Sequence, residues 1–218
     1  MNIGDPRGKF SCGIDEAGRG PVIGPLVVSV VCGYDDQLRN LGVRDSKVMA
    51  KNSRERMFES IKSSSSYHAI RKLEPVELNE MMSRINLNQI EEDAYASLIE
   101  KIPFDCVVYV DSFDVSPERL ATKLKERTGK NVVCEHKADS IYPSVSAASI
   151  LSKVTRDREV EELEKRYGKI GSGYPSDPLT VEFLRKSVES GVDISGIART
   201  HWKTYKNLFR DSRTGKLF

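Results

Sequence analysis

Phe10, Cys12 and Ile14 alternate with Ser11 and Gly13, and this period of two predicts a half-buried strand that ends at Asp15-Glu16. After the turn-rich segment Ala17–Pro25, the stretch Leu26–Cys32 is rich in β-branched residues and predicts a second strand, with Tyr67–Leu73 as a third. Between them, Ser53–Ile61 has helical character. Ile90, Ala94, Leu98 and Ile102 keep near-helical spacing within Ile85–Ile102. Phe104–Val110 is a mainly apolar run of strand length ending on Asp111, and Val132–Cys134 is a shorter one ahead of Glu135. Ser116–Arg127 lies between them and opens on a Ser-Pro pair suited to a helix N-cap and first turn, so a strand–helix–strand unit is expected. From Ser144, Val145, Ala148, Leu151, Val160, Leu163 and Tyr167 predict a long amphipathic helix to about Arg166. The loop Gly168–Pro178 then precedes two short helical patterns, Thr180–Ser190 and about Thr200–Phe209.

Strands first, then strand and helix in alternation, argue for an α/β layer fold with a mixed sheet and a helical carboxyl-terminal piece. In such sheets the ligand site lies beyond the carboxyl ends of the strands. The chain has 218 residues, enough for one domain or one with a small appendage. Apolar residues make up 39% and charged ones 30%, the balance of a soluble globular protein. The longest apolar stretch, Val22–Cys32, is broken by Gly24 and Pro25 and falls short of the roughly 20 residues a membrane helix needs. The polar first residues carry no apolar core of a signal peptide, so no membrane association is expected. Cys12, Cys32, Cys106 and Cys134 sit in short apolar runs and form no C-x-x-C pair; the expectation is four buried, reduced thiols in a cytoplasmic protein.

A net charge of +2 creates no field that argues for a polyanionic partner. Its distribution is more informative. Basic residues cluster at Lys47, Lys51, Arg54 and Arg56, and again at Arg199, Lys203, Lys206, Arg210, Arg213 and Lys216. Solvated helix faces and phosphate contacts are both open readings of these clusters. The acids are placed more pointedly: Asp15 and Glu16 follow the first strand, Asp111 follows the central one, and Asp139 precedes the long helix. Any one of these would be an ordinary turn former or cap. Together, carboxylates from separate segments are what a pair of hard divalent cations requires for phosphodiester hydrolysis.

The stretch Gly13-Ile-Asp-Glu-Ala-Gly-Arg-Gly-Pro21 resembles the signature motif of the ribonuclease HII (type 2 ribonuclease H) family, and Asp45-Ser-Lys47 follows in the expected order. Val110-Asp-Ser112 resembles the third-acid segment. His136-Lys-Ala-Asp139, Tyr142-Pro and Ser146-Ala-Ala-Ser-Ile-Leu-Ser-Lys153 resemble the fourth. The resemblance spans about residues 10–205. It implies a ribonuclease H-like α/β fold: a mixed five-stranded sheet flanked by helices over residues 1–170, with a helical substrate-binding extension over 171–218. It also implies an endoribonuclease that hydrolyses the RNA strand of RNA/DNA hybrids, and that cuts 5′ of ribonucleotides embedded in duplex DNA to leave a 3′-hydroxyl and a 5′-phosphate.

By this resemblance Asp15, Glu16, Asp111 and Asp139 hold two divalent ions, Mg²⁺ or Mn²⁺. Asp15 bridges them, Asp139 serves the ion on the water side, and Glu16 and Asp111 serve the leaving-group side. Gly18, Arg19 and Gly20 are the backbone contact to the ribose, whose 2′-hydroxyl can donate and accept. Tyr174, in Gly171-Ser-Gly-Tyr-Pro-Ser, resembles the tyrosine that stacks beside the ribonucleotide–deoxyribonucleotide junction, and Lys47 and Lys153 are phosphate contacts. The implied enzyme is a monomer working in replication and repair. Two departures stand out. In Arg199-Thr-His-Trp-Lys-Thr204, His201 replaces the serine of the family's Arg-x-Ser-Trp pattern. The tail Gly215-Lys-Leu-Phe218 lacks the glutamine of a sliding-clamp-binding peptide, which makes the clamp a secondary expectation. A resolvase-like DNA endonuclease and a non-catalytic nucleic-acid-binding module remain alternatives on the acids alone.

Overall fold

The structure, a computed structural model, describes residues 8–43 and 50–213. The segment with Asp45, Ser46 and Lys47 and the tail with Lys216 lie outside the described residues. The chain forms two compact units. The first comprises Met1–Ala17, Val27–Arg71 and Asn88–Val154, and the second Gly18–Leu26, Lys72–Leu87 and Thr155–Phe218. The second unit thus draws on chain well before residue 171, because main-chain bonds join Gly24 N–H to Ile197 O and Arg199 N–H to Val22 O.

In the first unit, strands β1 (Phe10–Ala17), β2 (Leu26–Tyr34), β3 (Tyr67–Leu73), β4 (Val108–Asp111) and β5 (Val132–Glu135) form one mixed sheet in the order β3-β2-β1-β4-β5. β1 runs antiparallel to β2 and parallel to β4, and β4 is parallel to β5. The helices of this unit are α1 (Asp35–Asn40), α2 (Lys51–Ser64), α4 (Leu87–Ile99), α5 (Pro117–Thr128) and the first half of α6 (Pro143–Tyr167). α5 begins as its sequence suggests: the Ser116 hydroxyl accepts from the Arg119 amide, and Gly129 closes the helix with a left-handed φ of 67°. Phe104–Val107 does not continue β4, since the exposed Asp105 breaks the apolar run. The short helices α1 and α3 (Pro75–Met82) leave no mark in the apolar spacing.

α6 departs from the amphipathic expectation. Its first half is buried on nearly every side, with Val145, Ala147, Ala148, Ile150, Leu151 and Val154 packed with Val31, Leu38, Phe58 and Ile61 or with Tyr109. Small residues make this possible. A Cβ on Gly13 of β1 would stand 2.1 Å from the Val145 amide nitrogen, so the glycine lets the helix backbone lie directly on the strand. The buried serines find partners: Ser144 Oγ with Ser11 Oγ at 2.9 Å, Ser146 Oγ to Val43 O at 2.6 Å, and Ser152 Oγ to Ser29 Oγ at 2.8 Å.

The cysteines correct the all-thiol expectation. Cys12 faces Cys32 across the antiparallel pair, and the two are joined in a disulfide with their Cα atoms 4.0 Å apart. Only the register, which residue spacing does not reveal, puts them opposite each other. Cys106 and Cys134 are free, and burial raises the Cys134 thiol to about 12.

The second unit has its own core, in which Val22, Ile23, Val160, Ile170, Leu184, Ile194 and Ala198 are buried. It contains α3, α7 (Pro178–Glu189) and α8 (Lys203–Arg213). No helix among the described residues is long and apolar enough to cross a membrane. The Gly13 packing predicts a large effect: Gly13→Ala should lower stability by about 3 kcal/mol or more, since overpacking against backbone leaves little room to relax. Chemical denaturation of the variant beside the parent protein measures this, and a loss below about 1 kcal/mol would refute the close-packing account.

Candidate active site

Two strand ends bring the first acids together. β1 and β4 pair Ile14 with Val110 in parallel register, so the next residues along, Asp15 and Asp111, leave neighbouring strands at the same level. Alternation sends Asp15 toward α6 and Glu16 toward α4. Asp15 is 5% exposed, its main-chain carbonyl accepts from Ser152 Oγ at 3.0 Å, and its carboxylate accepts from Ser149 and from the Glu16 amide at 2.7 Å. Glu16 accepts a hydrogen bond from the fully buried Tyr95 hydroxyl of α4. Burial and the neighbouring negative charges hold that phenol well above its usual range, so it serves as a donor.

Asp139 arrives by a strained turn. Lys137 adopts a left-handed φ of 59° ahead of a one-turn 3₁₀ helix, Ala138–Ser140. There the Ala138 amide donates to Asp111 Oδ1 at 2.9 Å, which ties the segment bearing Asp139 to the end of β4. Asp139 is buried. Burial pushes the Asp15 carboxyl well above the usual carboxylate range, and the charges of Glu16 and Asp111 push it further the same way. The donors are of the kind a hard divalent cation takes, and such an ion would relieve their repulsion. As they stand, no three His, Cys, Asp or Glu side chains among the described residues are gathered tightly enough to hold one ion. Hydrogen bonds explain the spread, since Glu16 is turned to Tyr95 and Asp111 to the Ala138 amide. The fit is one of donor type and position.

The second unit holds Gly18, Arg19, Gly20 and Tyr174. Gly18 has φ 88°, and a Cβ there would meet Pro25 O at 2.6 Å, so the fold itself demands glycine. Gly20 is different: it is exposed, and a Cβ there would only touch the Tyr174 ring at 3.4 Å. Arg19 is half-buried between them. Gly173 O accepts from the Val22 and Ile23 amides at 2.8 and 3.2 Å, which sets the Tyr174 loop beside the glycine turn. Tyr174 remains 40% exposed, and its ring lies over the buried Arg156 guanidinium at 5.1 Å. Arg156 also donates to Ser172 O at 2.6 Å, and burial lowers its pKa.

The family model for ribonuclease HII matches residues 12–205. A ribonuclease HII of Thermoplasma volcanium is 50% identical over 212 residues, covering 96% of this chain and 99% of that protein. The crystal structure of ribonuclease H2 from Pyrococcus horikoshii superposes with a TM-score of 0.88 at 38% identity, covering 94% of this chain and 99% of that one. The chain belongs to the ribonuclease HII family. A structure of the PCNA:RNase HII complex from Archaeoglobus fulgidus is also similar, with a TM-score of 0.84 and 46% identity over 89% of this chain and 95% of that chain. Membership makes the protein a ribonuclease H, a hydrolase of the RNA strand in RNA/DNA hybrids, and the sheet bears out the mixed five-stranded expectation.

Several residues of this ribonuclease HII chain carry no signal in its sequence. Tyr95 looks like one more apolar position of α4, and Arg156 like one more charge on α6. Ser149 and Ser152 fall inside the fourth-acid segment, where spacing alone gives them no role. Lys153 is exposed and follows Ser149 by one helical turn, so it lies on the side of α6 that reaches Asp15. Asp15→Asn tests the electrostatics. Because the folded-state pKa of Asp15 is raised, ionising it opposes folding, and its contribution is lost as pH climbs from the unfolded value through the folded one. In EDTA at neutral pH the Asn variant should be at least as stable as the parent and should gain less from added Mg²⁺. Thermal melts with and without the ion would contradict this if the variant were destabilised in EDTA.

Proposed function

We propose that the chain is an endonuclease that cuts 5′ of a ribonucleotide embedded in duplex DNA, leaving a 3′-hydroxyl and a 5′-phosphate, in replication and repair. Gly20 carries this reading. The fold does not require a glycine there, yet the missing side chain leaves backbone beside an exposed aromatic ring. A sugar approaching that backbone would have its 2′-hydroxyl read by main-chain groups, and Tyr174 would stack on the following deoxyribose, where a second hydroxyl would clash. Asp15, Glu16, Asp111 and Asp139 would hold two ions, Mg²⁺ or Mn²⁺, which when bound supply Lewis acidity to the attacking and leaving oxygens. The chain's own part is to present the carboxylates. Ser149 and the Glu16 amide orient Asp15, Tyr95 orients Glu16, and the Ala138 amide orients Asp111.

Lys153 and Lys47 would contact phosphates, the latter from outside the described residues. The exposed Lys203, Lys206 and Arg210 of α8 would track the duplex backbone, since packing against the second core uses the other side, Tyr205 and Leu208. The protein would act as a monomer in the cytoplasm, where the Cys12–Cys32 bridge, fully buried, is shielded from reductants. The PCNA complex of the Archaeoglobus fulgidus relative supports a sliding clamp as a partner.

Asp139→Asn should fold and lose cleavage of both substrates, a single embedded ribonucleotide and a continuous hybrid, by at least about a hundredfold if the carboxylate holds an ion. Tyr174→Ala should lose about tenfold more on the single ribonucleotide than on the hybrid, since stacking is worth about 1–3 kcal/mol. Near-normal turnover by Asp139→Asn would remove the metal assignment, and an equal proportional loss in Tyr174→Ala would remove junction reading. Cleavage of all-DNA duplex by the parent would point instead to the DNA-endonuclease alternative.

Neutralising Lys203, Lys206 and Arg210 should flatten the salt dependence of binding by about one unit of slope for each phosphate no longer engaged. An unchanged slope would return these residues to the solvated surface.

A further inference from the structure

All three carbonyls of the glycine turn are held by one short segment of chain. Arg199 Nη2 donates to Gly18 O at 2.6 Å, Arg199 Nη1 to Arg19 O at 3.2 Å, and Trp202 Nε1 to Gly20 O at 3.0 Å. A fourth bond runs from Arg199 Nε to Gly24 O at 2.9 Å. The guanidinium is fully buried and lies 4.8 Å from the Trp202 ring centroid, so the two side chains also fix each other. Their own backbone is fixed in turn. The Arg199 amide donates to Val22 O at 2.8 Å, and Ala198 bridges to Ile23.

A trans peptide points its carbonyl and its N–H in opposite directions. The carbonyls of Gly18 and Arg19 share their peptide planes with the N–H groups of Arg19 and Gly20. Drawing both oxygens toward the guanidinium therefore aims both amides away from it. The next plane, Gly20–Pro21, has no N–H to aim. We propose that Arg199 and Trp202 are positioning residues for ribose recognition: by holding the turn's carbonyls they make it a pair of N–H donors, Arg19 and Gly20, presented to the oxygen of a 2′-hydroxyl. This rests on the reading that the turn senses the 2′-hydroxyl, and it specifies the polarity of that interaction. Arginine suits the task because its planar fork spans several acceptors at once and keeps its protons at any physiological pH. A lysine would keep the charge and lose the fork.

The test is binding in EDTA, by fluorescence anisotropy, of a duplex with one embedded ribonucleotide and of the same duplex in all-DNA form. Trp202→Phe keeps an aromatic ring beside Arg199 and removes the indole N–H together with the rest of the five-membered ring; Arg199→Lys removes the fork. Each variant should lower the preference for the ribonucleotide duplex about fivefold to tenfold, the worth of one displaced hydrogen bond, and leave all-DNA affinity within about twofold. Trp202→Phe, the milder change, carries the test if Arg199→Lys fails to fold. A preference retained in the folded variants overturns the proposal, and so does an equal fall on both duplexes, which would make the two residues structural only. If the parent itself shows no preference, the 2′-hydroxyl reading is what fails, and the polarity assigned here fails with it.

Discussion

Helix α6 lies on β1 with no side chain between their backbones at Gly13, and the geometry of the acidic site follows from that close approach. Because the backbones touch at Gly13 and Val145, the serines of α6 come within reach of β1: Ser144 meets Ser11, and Ser149 and Ser152 meet Asp15. A larger residue at position 13 would lift the helix and withdraw the donors that orient the carboxylate. Packing and the placement of the Asp15 carboxylate are here one constraint, and the close approach leaves the first half of α6 buried on nearly every side.

The same close packing creates an electrostatic cost. Asp15 is buried beside two further negative charges, a condition that native cores avoid unless something positive or strongly polar offsets it. Hydrogen bonds offset part of it. Each of the three carboxylates nearest the strand ends has a dedicated donor: Ser149 and the Glu16 amide for Asp15, Tyr95 for Glu16, and the Ala138 amide for Asp111. These donors fix orientation without cancelling charge, so the site stays predisposed to cations while the fold remains intact. The left-handed Lys137 belongs to the same arrangement, since the strain it stores sets the Ala138 amide toward Asp111.

Most of the fold was legible because its signals are local. The alternation at Phe10–Ile14, the β-branched run from Leu26 and the Ser-Pro entry to α5 are each decided by neighbouring residues. What escaped depends on register. The Cys12–Cys32 bridge exists because those residues face each other in an antiparallel pair, and nothing in their spacing of twenty residues announces it. Tyr95 and Arg156 stayed hidden for a related reason: a buried tyrosine and a buried arginine look in sequence like an ordinary apolar position and an ordinary surface charge. The four acids were legible as candidates through their places at element ends and through family resemblance. The hydrogen bonds that orient them could come only from the fold.

The two glycines of the turn show how structure separates roles that sequence merges. Gly18 is dictated by its own backbone, through a positive φ and the Pro25 carbonyl, and would be glycine in a protein that bound nothing. Gly20 has no such internal cause. Only Ala17 stands between Glu16 and this turn, so one short stretch of chain carries a metal-ligand candidate in the first unit and a sugar-reading candidate in the second. The orientation of this turn is fixed within the second unit itself. Arg199 and Trp202 provide that fixation from a segment distant in sequence, and their grip on three carbonyls makes the turn a rigid element instead of a flexible loop.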